Sequence, residues 1–170
     1  MKGRTFLTAA CGALMVAASP ASADDPALAP PPGAALLLRV VADGVQIYAC
    51  EATDKGSGWV FKAPEAALFD GDGRQVGTHF AGPTWKLTDG SAVVGEVAAR
   101  ADAPEAGAIP WLLLRAKSHD GAGMLANATF IRRVETKGGA APKVGCDASH
   151  ILEPARMRYS AIYEFFAAAK

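Results

Sequence analysis

The sequence predicts an all-β domain: an antiparallel sandwich or barrel of about ten short strands. Three observations predict it. Apolar runs of strand length recur at roughly 8–12-residue spacing. Gly, Asp and Pro pairs punctuate them. Within several runs, side chains alternate between two faces, the period of a strand.

The elements follow in order. GAALLLRVV (33–41) opens the domain. Asp43-Gly44 precedes VQIYACE, where Val45, Ile47 and Ala49 share one face and Gln46, Tyr48 and Cys50 the other. DKGSG (54–58) is a loop, and WVFK follows it. Glu65 to Phe69 runs into Asp70-Gly71-Asp72-Gly73, a strong turn signal. RQVGTHF and TWKLT come next, then Asp89-Gly90 and SAVVGEVAARA. WLLLRAKS, LANATFIRRVET and RYSAIYEFF complete the set. SAVVGEVAARA is rich in alanine, but Val93, Val94, Val97 and the internal Gly95 favour a strand. A short helix near Ala101–Ala106 stays open. In the last run Tyr159, Ala161, Tyr163 and Phe165 alternate with their neighbours, which gives a strand with an aromatic face.

The N-terminus speaks to compartment. Met1 to Arg4 is basic, Thr5 to Ala18 is apolar or small, and Ala21-Ser22-Ala23 has the form of a cleavage site. Residues 1–23 therefore read as a signal peptide, with Cys11 inside the discarded part and secretion or export to a periplasm implied. Cleavage would leave 170 − 23 = 147 residues, with 15 basic and 17 acidic side chains. A near-neutral chain of mixed sign lacks the electrostatic footprint of a nucleic-acid binder. No second apolar run is long enough for a helical membrane span. DDPALAPPPG (24–33) reads as a loose Pro-rich linker to residue 34, with one β-domain over 35–170. Cys50 and Cys146 are left as an even pair in an oxidising compartment, so a structural disulfide is expected.

Chemical motifs are weaker. Gly71 to Gly77 nearly matches a dinucleotide fingerprint, but its third Gly is one place late and no βαβ unit surrounds it. Asp70-x-Asp72-Gly73 resembles the start of a calcium loop, yet Ala81 stands where the bidentate Glu belongs. Arg132-Arg133 and the charges from Arg100 to Glu105 read as solvated faces. His79, His119 and His150 lack metal-ligand spacing. Ser91 has no local base, and Asp89, Glu96 and Glu51 are acids without a visible partner. No cofactor is implied. The densest stretch is GTHFAGPTWKLTDG (77–90), where Thr78, Phe80 and Trp85 are expected on a core face around a Gly82-Pro83 bend. The candidate ligand-binding residues are His79, Trp85, Asp89, Tyr48, Tyr159 and Tyr163.

These elements together resemble a known family. GVQIYAC (44–50), Trp59, VGTHFAGPTWKLTDGS (76–91), IPWLLLRA (109–116), FIRRVETKGGAAP (130–142), Cys146 and YSAIYEFF (159–166) are similar to domain of unknown function 3455, found in secreted bacterial and fungal proteins. The resemblance implies that His79, Gly82, Pro83, Trp85, Asp89, Gly90, Thr136, Gly138, Gly139 and Pro142 occupy motif positions, with Cys50 and Cys146 as the usual pair. It implies no activity. Some members carry a malate dehydrogenase label, but this chain lacks the fingerprint such an enzyme needs. Three readings remain: a domain binding a small molecule or cell-surface component, a hydrolase-like enzyme using His79 as base, and a structural envelope protein.

Overall fold

The computed structural model describes residues 25–169. The signal-peptide reading, the Ala23 cleavage point and Cys11 lie outside that range. Eight antiparallel strands close into one barrel, each pairing with the next and β8 returning to β1. They are β1 (Ala35–Thr53), β2 (Gly56–Phe69), β3 (Gln75–Phe80), β4 (Thr84–Leu87), β5 (Ala92–Ala101), β6 (Trp111–Asp120), β7 (Phe130–Gly138) and β8 (Pro154–Ala167).

About ten runs become eight strands because two expected breaks do not turn the chain. Asp43-Gly44 lies inside β1, in register with Ala67 and Ala66 of β2. Gly44 serves close approach here rather than a turn: a Cβ on it would come within 2.1 Å of the Glu65 carbonyl oxygen. Ala63-Pro64 is likewise carried through β2, with a bulge opposite at Ile47/Tyr48. The helix considered at Ala101–Ala106 is absent, since Ala101 ends β5 and bends and turns follow. Pro104 and Gly107 (φ +80°) interrupt helical geometry there.

Alternation assigns the faces. Val40, Ala42, Leu68, Ile131, Tyr163 and Phe165 join the inner cluster with Trp85 and Leu114. On β6, Trp111 and Leu113 point the other way and build an outer cluster with Val134 and Leu28. Leu28 belongs to a short 3-10 turn (Pro26–Leu28) and is fully buried. The stretch read as a loose linker thus packs against the barrel wall, because its one large apolar side chain finds an apolar patch. The aromatic face expected on β8 is the inner one, with Tyr159, Ala161, Tyr163 and Phe165 all buried in the core cluster. The face expected for β3 is reversed. Gly77 and His79 turn inward, while Thr78 and Phe80 are exposed.

Because neighbouring strands run antiparallel in chain order, their connections alternate between two ends. A second 3-10 turn (Met124–Asn127) plugs one end with Leu125, which is fully buried in the inner cluster. At the other end the connection between β7 and β8 lies along the β1–β2 hairpin. Cys50 and Cys146 are bridged there, with Cα atoms 5.3 Å apart. Backbone bonds join Cys50 N–H to the Glu153 carbonyl and Leu152 N–H to the Cys50 carbonyl. The Trp59 indole N–H donates to the Val144 carbonyl at 3.0 Å.

Candidate functional site

The β3–β4 hairpin explains the stretch that stood out in the sequence. His79 and Trp85 are direct partners across it. Gly82, at φ +97°, makes the intervening turn, which Thr84 Oγ1 closes by donating to the Ala81 carbonyl at 2.9 Å. The two rings stack at 4.5 Å between centroids and 9° between planes. Tyr163 from β8 sets its ring edge against both, at 5.1 Å from His79 and 5.2 Å from Trp85.

His79 is 2% exposed, and its Nδ1 lies 2.8 Å from the Thr84 carbonyl oxygen. That oxygen can only accept, so Nδ1 carries the proton and Nε2 keeps a lone pair. Burial pushes the ring pKa down to about 3, the Thr84 bond acts upward, and the Arg133 charge adds to the depression. His79 is therefore a neutral acceptor at ordinary pH. No acidic or nucleophilic side chain hydrogen-bonds to it among the described residues. A general base would need such a group within about 3 Å.

Beside this aromatic cluster lies a cavity of about 410 Å³ at the end of the barrel opposite the Leu125 plug. Tyr48, His79, Trp85 and Tyr163 all line it, joined by Gln46 and Arg133. Phe61 and Val97, 50% and 57% exposed, form its mouth. Gln46 Nε2, Trp85 Nε1 and the Tyr163 hydroxyl, all on lining residues, are buried without a hydrogen-bond partner among the described residues, as is the hydroxyl of Tyr159 behind them. Tyr159 stands behind Tyr163 and Gln46, near enough for both to influence its hydroxyl. Burial, then Tyr163, raises its pKa. Neither Tyr hydroxyl nor Gln46 Nε2 meets hydrogen-bond geometry with the others, so the three are neighbours rather than bonded partners. Tyr48 is satisfied: its hydroxyl donates to the Gly139 carbonyl at 2.7 Å. Burial raises its pKa, and the Arg133 charge opposes this.

Asp89 is elsewhere. Its Oδ1 accepts from Ser91 Oγ at 2.6 Å and from Ser91 N–H at 2.9 Å. Its Oδ2 accepts from Met124 N–H at 2.8 Å, and Ser91 Oγ accepts from Leu125 N–H at 3.1 Å. The pair latches the plug, and these bonds, Met124's first, lower the Asp89 pKa. Four of the six sequence candidates thus line one cavity, Tyr159 stands behind them, and Asp89 holds the opposite end shut.

Arg133 and Gln46 line the cavity although the sequence reading singles out neither as a site residue. Arg132-Arg133 reads as a solvated face, yet consecutive residues of a strand point to opposite sides. Arg132 turns outward to Glu164, with Nε to Oε2 at 2.7 Å. Arg133 turns inward and is fixed by two bonds to the Pro110 carbonyl, from Nε at 3.0 Å and Nη2 at 2.8 Å. The polar face of VQIYACE, with Gln46 and Tyr48, was legible as a face but not as the inner one.

Other motifs resolve locally. Asp70 and Asp72 both bind Arg74, at 3.0 Å and 2.9 Å, which answers the calcium-loop resemblance. His119 Nε2 meets the Ala128 carbonyl at 2.6 Å. Asp147 and Ser149 both approach the same nitrogen of His150, Nδ1, at 2.8 Å and 3.1 Å. A catalytic triad divides those partners between the two ring nitrogens. Among the described residues, no group of three or more His, Cys, Asp or Glu is placed to hold a metal. No described helix is long and apolar enough to cross a membrane.

The Gly138-Gly139 pair lies where β7 meets the loop that frames the cavity. Ile109 N–H bonds the Gly138 carbonyl at 2.8 Å, and Thr136 Oγ1 donates to the Ile109 carbonyl at 2.6 Å. With these positions in place, residues 30–167 match the family described as protein of unknown function DUF3455. The chain belongs to that family. In this DUF3455 domain the His-Gly-Pro-Trp motif builds the cavity's aromatic wall, and the Thr-Gly-Gly motif ties down its rim. No curated protein and no solved structure matches the chain.

Proposed function

We propose that this protein is an extracytoplasmic binding protein whose barrel lumen takes one small molecule. One observation carries the reading: buried polar groups of Gln46, Trp85 and Tyr163 have no hydrogen-bond partner among the described residues and belong to side chains that line one open cavity. A buried polar group left unpaired costs roughly 1–3 kcal/mol. Several such groups around one cavity make sense when an occupant completes them. The volume, about 410 Å³, falls in the lower part of the ~300–1,000 Å³ range of ligand pockets. Eight-stranded barrels are also of the size that holds one small ligand. The basic and apolar N-terminal run and the Cys50–Cys146 bridge support export to an oxidising compartment, with cleavage after Ala23.

Native mass spectrometry of protein exported to a periplasm tests this. The expected result is a small non-covalent mass that is lost on denaturation and much reduced in Val97→Trp, which crowds the mouth. Absence of such a mass, together with no thermal shift across a chemically broad library, would overturn the reading.

A further inference from the structure

We infer that the lumen is selective for a small organic carboxylate with a flat apolar body, anchored at its charged end by Arg133. This rests on the reading that the lumen binds a small molecule, and it names the chemical class.

Charge is the first argument. Lys62, Arg100 and Arg133 line the cavity, and no carboxylate among the described residues does. Lys62 is neutralised by Glu51, and Arg100 is exposed at the mouth without an ion pair among the described residues. Arg133 also lacks a carboxylate among the described residues, and its field reaches Tyr48, His79 and Tyr159. A guanidinium has five N–H donors. Two of Arg133's are committed to the Pro110 carbonyl, so the group is oriented while three donors stay available. An oriented guanidinium suits a planar carboxylate, whose two oxygens accept in parallel.

The second argument is the balance of donors and acceptors. Gln46 Nε2 and Trp85 Nε1 are donors only, and the Tyr163 hydroxyl can donate. As placed, the Gln46 amide nitrogen is the atom of its side chain that is buried without a partner. A wall with surplus donors calls for an occupant rich in acceptors. His79, held neutral, adds no competing charge.

The third is shape. The stacked pair His79–Trp85, the Tyr163 edge and the Phe61 ring at the mouth offer flat apolar surface. A planar hydrocarbon body covers such surface without leaving polar atoms unpaired.

The test is a matched panel on wild-type mature protein: 2-naphthoate, 2-naphthalenemethanol and 2-naphthylmethylamine, followed by calorimetry and by tryptophan emission. The carboxylate is expected to bind at least about tenfold more tightly than either isostere, and its affinity to fall with added salt. Arg133→Gln is expected to erase that preference while leaving the alcohol's affinity within about twofold, with circular dichroism confirming the fold. Equal or tighter binding of the alcohol or amine to wild type would overturn the carboxylate inference and leave lumenal binding standing. Failure of all three to bind wild type would overturn both. The wild-type comparison decides the matter even should Arg133→Gln not fold.

Discussion

His79 and Trp85 face one another across the β3–β4 hairpin with their rings 9° from parallel and 4.5 Å apart, and Tyr163 closes the edge of the pair. The stack is the floor against which the barrel is built and the wall against which the cavity opens. Its His is neutral because burial penalises the charged ring and the Arg133 charge adds to that penalty.

That neutrality sets a pH dependence. The folded pKa is near 3, against about 6.5 in the unfolded chain, so the unfolded state binds the extra proton between those values. Stability should therefore fall as pH drops from about 6.5 toward 3. The loss is largest at the low end, where it reaches up to about 4 kcal/mol as an upper bound. His150, exposed and raised by Asp147, titrates with the opposite sign. Denaturant unfolding of wild type and His79→Phe between pH 4.5 and 6.5, above the carboxylate range, isolates the effect. The variant should show a flatter slope. An unchanged slope would show that His79 is not the group responsible.

Gly139 can be tested against Gly73. Both have positive φ, +84° and +77°. A Cβ on Gly139 would lie 2.7 Å from Tyr159 Cβ and 3.0 Å from Ile109, whereas Gly73 faces open space. Gly73→Ala should cost about 1 kcal/mol from backbone strain alone. Gly139→Ala adds overpacking and should cost about 2–4 kcal/mol in chemical denaturation. Equal costs would mean that the Tyr159 wall yields freely.

Asp89→Ala should release the plug without altering the cavity. The bonds to Ser91 and to Met124 N–H resemble a helix cap, worth about 0.5–2 kcal/mol. Hydrogen exchange should accelerate at Met124 and Leu125 amides, and binding of 2-naphthoate should stay within about twofold. A large loss of binding would place Asp89 in the site after all.

The bridge between Cys50 and Cys146 closes a long loop, with a sequence separation of 96. Cys50→Ser with Cys146→Ser should destabilise by about 4–5 kcal/mol in the chain-entropy account. The denatured wild type should weigh two hydrogens less than its reduced form. Equal masses, or a midpoint unmoved by the double variant, would remove the clasp.

Strand character, the turn at Asp70–Gly73 and the Cys50–Cys146 pair were legible in the sequence, because period-two patterns, turn chemistry and cysteine arithmetic are local or countable properties. Tertiary structure alone decided which face of a strand is inside. Thr78 and Phe80 have the residue types of a core face, yet register with Trp85 turns Gly77 and His79 inward instead. A one-residue change of parity inverts a whole strand, and only pairing with its neighbours sets it. For the same reason Arg133 could not be separated from Arg132, nor Asp89 sent to the far end, until the barrel closed. Closure brings Gln46, His79, Arg133 and Tyr163, from four strands, to one cavity. No local pattern encodes that convergence, since it depends on contacts between residues as much as 117 positions apart, from Gln46 to Tyr163.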